Sequence, residues 1–482
     1  LSVSNYNDLY PSWDDGNLNY IPKDDVYIKL VRAKEYWDEI IKSAHGSAEP
    51  GIIFEDNHHN YSPDGVYPQF KGVTTNPCGE IFMQAYDACR LIAVNLLSFV
   101  NNPFTSEAEF DIKKFYEVNY EAMRLSDDLI DLELERINRI LEKIKNDNEP
   151  AEVKAREFKL WKKVRDTAMA SRRTGLGFTA LGDTLAALGY KYDSEEALLF
   201  TEQFMHVKME SEFDCTIDLA ILRGTFEGWE DSKEYHFHTE DPLNKFYEFL
   251  GDNFNDQVIR MSKYGRRNVS WNTVAPTGTV SLLTQTTSGL EPIFQPFYIR
   301  RKKVNKGERV DFVDELGVEW QEFPVLHEQF KNWVMLNMKT DNSTVIENLS
   351  KEDLQKLFEY SPWYGSTAND IDWKKRVEIQ GIIQKYITHS ISSTINLPNS
   401  VTEEEVSEIY LHSWKMGLKG VTVYRDGSRS GVLVSDDKPK LVTFNENHAP
   451  KRPKSLPCKI VRFNNNYEKW IAFVGMMDNK PY

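Results

Sequence analysis

Asn76-Pro77-Cys78-Gly79-Glu80-Ile81 and, shortly after it, Tyr86-Asp87-Ala88-Cys89-Arg90-Leu91 hold two of the chain's four cysteines. The first stretch sets an amide, a thiol and a carboxylate at alternate positions, between a loop and an apolar run. In extended backbone, alternate side chains point to the same side, so Asn76, Cys78 and Glu80 are expected to face one substrate together. A carboxylate takes a hydroxyl proton, an amide orients that hydroxyl, and a thiol serves as nucleophile or radical. Five residues alone are a weak pattern, since a free cysteine is often a packing residue. The surrounding sequence decides.

That surrounding chain has 482 residues, 40% hydrophobic and 27% charged, enough for a substantial soluble core. A net charge of −16 argues against a duplex held on a general basic surface, and leaves room for a local phosphate pocket. No apolar run is long enough for a membrane span. The opening Leu1-Ser2-Val3-Ser4 resembles no secretory signal. It also lacks Met, which raises the expectation that upstream residues were removed or lie on another chain. Four cysteines without a CxxC pair exclude a disulfide scaffold and a zinc ribbon, and predict a cytoplasmic protein. Cys215 is expected to pack on a helix, and Cys458 has no evident partner. His58-His59 and His236-Phe237-His238 lack a matching ligand set, so no metal is expected.

Hydrophobic spacing predicts a helix over 31–44, stopped by Pro50 and Gly51, then a short buried strand at Ile52-Ile53-Phe54 and a polar stretch over 57–61. Ile130, Leu134, Ile137, Leu141 and Ile144 predict a long helix over 127–145 with one buried stripe. Asp193 with Glu196 and Thr402 with Glu405 read as capping boxes, and Gly224 as a helix stop. Val421 and Val423 alternate with Thr422 and Tyr424 as in a strand. Helices alternating with short strands make an α/β protein. Residues 433–456 read as a linker rich in Lys and Pro. Trp470-Ile471-Ala472-Phe473-Val474 reads as a strand with nothing left in the chain to pair with it.

The stretch at 76–91 resembles the finger loop of ribonucleotide reductases, and Pro77 and Gly79 around Cys78 look most like class II, the adenosylcobalamin-dependent form. Further stretches resemble the family in order: Ala170-Ser171-Arg172-Arg173-Thr174-Gly175-Leu176-Gly177; Ala275-Pro276-Thr277-Gly278-Thr279-Val280-Ser281 with Ser288-Gly289-Leu290-Glu291-Pro292; Ser392-Ser393-Thr394-Ile395-Asn396-Leu397-Pro398; and 419–429 around Val423-Tyr424-Arg425. The resemblance implies a ten-stranded α/β barrel, here its larger C-terminal part, over 1–432, with a truncated C-terminal domain beginning at 457. It implies that Cys78 is the thiyl radical that takes hydrogen from ribose C3′ and that Glu80 accepts the 3′-hydroxyl proton. Asn76 would bond the ribose hydroxyls, and Cys89 would be one of two reducing thiols. Pro276, Thr277, Gly278, Thr279, Val280 and Ser281 would hold the substrate phosphates on backbone amides at a helix N-terminus.

Adenosylcobalamin is the implied cofactor. The implied partners are a ribonucleotide, the N-terminal portion of the reductase and a reductant of thioredoxin or glutaredoxin type, with neither membrane nor direct nucleic acid. Two departures stand out. The family's second reducing cysteine lies upstream of the finger loop, and no cysteine precedes Cys78 here. The family's C-terminal cysteine pair is also absent. The alternatives are a class I large subunit, which needs a tyrosine pair where only Tyr424 stands, or an inactive nucleotide-binding fragment of a split reductase.

Overall fold

The computed structural model describes residues 20–23, 26–29, 32–230, 234, 244–304, 310–313, 319–347, 349–428, 457–465, 468–477 and 480–481. The chain divides into two compact units, Leu1–Arg429 and Ser430–Tyr482. The linker expected over 433–456 lies outside the described residues.

The first unit is a mixed α/β structure. Helix α1, Ala33–Ser47, turns into strand β1, Ile52–Ile53, and helix α2, Glu55–Asn60. The expected polar stretch over 57–61 is therefore mostly helical. Ile53 is 39% exposed, because its strand lies at an edge; Phe54 is the buried member of the trio. A hairpin of β2, Thr74–Thr75, and β3, Phe82–Met83, carries the cysteine stretch at its tip. Strand β4, Leu91–Asn95, leads into helix α3, Ile112–Asn146. This helix starts well before the expected residue 127. Asp111 caps it at the Lys114 amide, and Phe115, Ala122 and Met123 extend the buried stripe of Ile130, Ile137, Leu141 and Ile144. It packs against α4, Ala151–Ser171, and α6, Glu195–Arg223, with β5, Gly175–Thr179, and α5, Leu181–Ala187, between those two in sequence. Cys215 is buried on α6, as its place on the helix predicts. The cap of α6 is Ser194, one residue beyond the expected Asp193, and Gly224 ends it at φ +86°.

A short helix α7, Gly278–Thr284, follows the strand-like residues 272–274. Helix α8, Trp373–Lys385, precedes β6, Thr394–Leu397; helix α9, Glu403–Lys415, precedes β7, Gly420–Arg425. The Thr402–Glu405 box at α9 closes in both directions. β4 pairs parallel with β5, Leu176 bridges Asn272, Val274 bridges Ile391, and β6 pairs parallel with β7. β7 then pairs antiparallel with β1. Among the described residues this series stays open rather than closing into ten strands. β5 is buried along its whole length, so its glycines are what let neighbours approach: a Cβ at Gly177 would lie 2.6 Å from the Thr273 carbonyl oxygen.

In the second unit, Glu468–Met477 pairs antiparallel with Cys458–Asn465 and with Lys480–Pro481. The expectation that the Trp470 strand is unpaired is thus corrected. Its partner precedes it, in Cys458–Asn465, where the adjacent Ile460 and Val461 break the alternation that marks a strand.

Candidate active site

The hairpin tip lies across the strand series. The Glu80 carbonyl accepts from the Ser390 amide and from Thr273 Oγ1, both at 2.9 Å. Ile81 packs on β5, where a Cβ on Gly175 would come within 2.9 Å of it. The tip is a turn, not extended chain: the Gly79 amide bonds the Asn76 carbonyl at 3.0 Å, and Gly79 has φ +82°. The expected one-sided row of Asn76, Cys78 and Glu80 does not form. Asn76 Oδ1 instead accepts the Ile81 amide at 3.0 Å and braces the turn, Cys78 is exposed, and Glu80 is 1% exposed with Oε2 unpartnered among the described residues. The positive φ of Gly79 causes this, a conformation open to Gly at little cost.

Cys78 opens on a cleft of about 420 Å³ between the tip, β1, residues 391–393 and β7, with Pro276 on its wall. Burial raises the Cys78 thiol pKa, and the Glu80 carboxylate raises it further. Cys89 is pushed up to about 11 by burial, then by Glu80 and Cys78, so both thiols keep their protons at neutral pH. Glu80 thus acts on both cysteines, which the structure brings to one neighbourhood. At the phosphate-loop candidate, Thr277 caps α7 from a left-handed conformation, and its Oγ1 accepts the Gly289 amide at 2.7 Å and meets Thr179 Oγ1 at 3.0 Å. The amides of Gly278, Thr279 and Val280 open the helix with no carbonyl one turn earlier to bond.

Beneath the hairpin runs a buried polar chain that the sequence reading missed. His58 stacks on Phe82 of β3 with centroids 3.5 Å apart and lies 3.4 Å from Asp64. Arg173 reaches Asp64 and Asp87 at 2.9 Å each and the Phe70 carbonyl at 2.8 Å. Asp87 accepts the Ala88 amide beside Cys89, and Arg90 pairs with Asp87 and Glu133. Burial lowers His58 to about 4, so at neutral pH it is uncharged and Arg173 supplies the positive charge that Asp64 needs. Lys419 gives its ammonium to the carbonyls of Ile387, Thr388 and His389, and burial lowers it to about 7. The available signal was charge next to a short, largely apolar strand, as in Arg172-Arg173 ahead of β5. Among the described residues no group of three or more His, Cys, Asp or Glu side chains could hold a metal; His236 and His238 lie outside them.

Residues 12–424 match the family model described as ribonucleotide reductase, barrel domain. The chain belongs to that family. Residues 456–482 match a second model, the NrdJ homologue C-terminal domain. This chain is 25% identical over 473 residues to a protein of Thermoplasma acidophilum named vitamin B12-dependent ribonucleoside-diphosphate reductase, covering 97% of this chain and 52% of that one. It is 28% identical over 419 residues to a protein of the same name from Mycobacterium tuberculosis, covering 87% of this chain and 50% of that one. The chain thus spans about half the length of these relatives. Its fold is similar to the class Id ribonucleotide reductase alpha subunit of Actinobacillus ureae, with a TM-score of 0.53 at 17% identity, over 82% of this chain and 61% of that one. No helix among the described residues is long and apolar enough to cross a membrane.

Proposed function

We propose that this chain is the radical-bearing part of a class II ribonucleotide reductase, and that its open strand series belongs to the larger, C-terminal part of a ten-stranded α/β barrel. Its substrate would be a ribonucleoside di- or triphosphate. The observation that carries the reading is Cys78, exposed at a turn braced against the strands, with Cys89 nearby and the buried Glu80 carboxylate acting on both. In this reading the Cys78 thiyl takes hydrogen from ribose C3′, and Glu80 takes the 3′-hydroxyl proton. The 2′-hydroxyl then leaves as water, which a closed-shell ribose resists. Asn76, its Oδ1 engaged in the turn, has Nδ2 left to donate to a ribose hydroxyl. The amides that open α7 would take the phosphates. Cys89 would give its hydrogen and electron together with a second thiol, ending as a disulfide that a thioredoxin- or glutaredoxin-type dithiol reduces. Since no cysteine precedes Cys78, the second thiol would come from an N-terminal portion, in the same protein or on another chain.

The named relatives are vitamin B12-dependent, which supports adenosylcobalamin as the radical source. The residues present fit it: Gly51, Gly79 and Gly420 border the cleft beside the exposed Cys78, leaving its sulfur open to a bulky group. When bound, adenosylcobalamin supplies a carbon radical able to take the hydrogen of a thiol. Tyr424, which a class I enzyme would need as half of a stacked pair, makes no ring contact among the described residues. Its buried hydroxyl has no partner there.

The test is deoxynucleotide formation by the chain combined with its N-terminal portion, free of metal, with and without adenosylcobalamin. Activity should require the cobalamin and vanish in Cys78→Ser, while nucleotide binding changes less than about twofold. Turnover by Cys78→Ser removes the radical assignment. Activity that ignores cobalamin but needs a metal-loaded second protein moves the chain to class I.

A further inference from the structure

Helix α3 carries a second stripe besides the one it buries against α4 and α6. Val118, Glu121, Leu125, Leu129, Leu132 and Arg136 follow one another at steps of 3, 4, 4, 3 and 4 residues, and all six are exposed. At about 3.6 residues per turn, such steps keep to one face of the helix for about 27 Å. Val118 is 40% exposed, Leu125 49%, Leu129 38% and Leu132 60%. A single exposed leucine is ordinary, but a row of them at this spacing is the pattern of a face that packs on another helix. The end of α6 is held beside the row by Tyr120 to Asp218 at 2.8 Å and Arg223 to Asp128 at 2.6 Å, and it adds the exposed Ile221 and Leu222.

The order of charge along the row says which helix that is. Glu121 stands toward the N-terminal end and Arg136 toward the C-terminal end, with Leu125 and Leu132 placed symmetrically between them and Leu129 near the middle. Turned end for end, the row reads the same with its charges exchanged. A second α3 laid antiparallel on it sets Glu121 opposite Arg136 twice and Leu125 opposite Leu132 twice, with the two Leu129 side chains beside the axis. Such self-complementarity is what a two-fold interface requires. Within one chain Glu121 and Arg136 lie about 22 Å apart along the helix and cannot meet. Arg136 has no ion pair among the described residues. Glu121 is paired with Arg124 at 2.8 Å, but both side chains are exposed and such a contact is worth little. Beyond the pair, the stem of Arg139 would cover Val118 of the other copy. Lys114 and Lys143 would approach each other at the rim, yet Lys114 lies over the Phe99 ring and Lys143 is paired with Asp147 at 3.4 Å.

We propose that this face of α3 is an interface between two copies of the chain, related by a two-fold axis beside Leu129. A row of this length buries less than the roughly 800 Å² per partner of a standard interface, so the dimer is a weak one, with a dissociation constant on the order of 10 μM. The interface is separate from the reductase chemistry and stands or falls without it.

The test is sedimentation velocity on the full chain from about 1 to about 200 μM, a range that brackets that constant. The parent chain should pass from monomer to dimer. Glu121→Arg alone, or Arg136→Glu alone, puts like charges across the axis twice and should raise the dissociation constant at least about tenfold, equivalent to about 1.4 kcal/mol. An equimolar mixture of the two variants should associate as the parent does, because a mixed dimer sets opposite charges together at both places. Recovery by mixing cannot come from contacts within either chain, and both changes lie on the exposed face, where they leave the fold intact. A parent that stays monomeric throughout overturns the proposal. So does association untouched by either variant, or a mixture no better than its parts. Parent chains that bind the reductase's N-terminal portion through Leu125 and Leu132, and not one another, would assign the face to that portion and overturn it as well.

Discussion

Cys89 is held as a thiol by its surroundings rather than by its own chemistry. Burial raises it to about 11, with Glu80, Cys78 and Asp87 adding to the rise and Arg90 opposing it. The role proposed for Cys89, delivery of hydrogen and an electron, benefits from a kept proton, since the thiolate is the form that reacts adventitiously. The rate of Cys89 alkylation by iodoacetamide should therefore climb with a midpoint near pH 11. In Glu80→Gln that midpoint should move downward, by about a unit or less, and Cys78 should become reactive at lower pH in the same variant. Peptide mass analysis of the alkylated chain reads both cysteines at once, and an unchanged Cys89 midpoint would remove Glu80 from the account. The residue types of this site were legible because amide, thiol and carboxylate stand so close in sequence. Their directions were not, because one positive φ at Gly79 turns an extended row into a turn with Cys78 outside and Glu80 inside.

β5 shows what an element demands of its neighbours. Gly177 faces the backbone of residues 272–274 so closely that a methyl group would lie 2.6 Å from a carbonyl oxygen. Backbone cannot give way there without breaking the Leu176–Asn272 bridge, and Thr273 is also the residue that holds the Glu80 carbonyl. Gly177→Ala should cost about 1–3 kcal/mol, the usual penalty of overpacking a tight interior, seen as a lower urea midpoint. The alkylation rate of Cys78 should shift with it, because the hairpin tip rests on the displaced strand. A variant as stable as the parent would mean the strands part more easily than their spacing implies. Element identities were readable wherever side-chain chemistry acts locally. The box at Thr402 closes as its letters predict, whereas at α6 two adjacent capping residues, Asp193 and Ser194, compete, and Ser194 prevails.

Across the whole first unit, buried ionisable groups make stability depend on pH. His58 titrates near 4 when folded, and burial, aided by the nearby Arg173, keeps His389 well below its ordinary value too. Both bind protons more weakly folded than unfolded. Their contribution is therefore complete above about pH 6.5, the ordinary histidine value, and is lost as pH falls toward 4. For His58 alone the loss is up to roughly 3 kcal/mol. Lys419, at about 7 against an ordinary value near 10.5, follows the same sign in a higher window, so stability rises with pH from about 7 upward. Urea midpoints measured from pH 4 to 8 should climb across the lower window, and His58→Gln should flatten part of that climb. A flat profile in the parent chain would mean that these groups reach solvent.

By itself the sequence determined what depends on near neighbours: the α/β alternation, the helical stripe of α3, the cap of α9, and the family through short motifs in fixed order. It also supplied the thiols and the carboxylate of the candidate site. Only the tertiary structure decided what depends on residues far apart in the chain. Arg173 finds Asp64 and Asp87 across 109 and 86 residues, and Trp37 packs edge-on against Tyr410 across a still longer separation. Such partners share no local spacing. Burial, which raises the cost of any unpaired charge, selects them only after the strands and helices have packed.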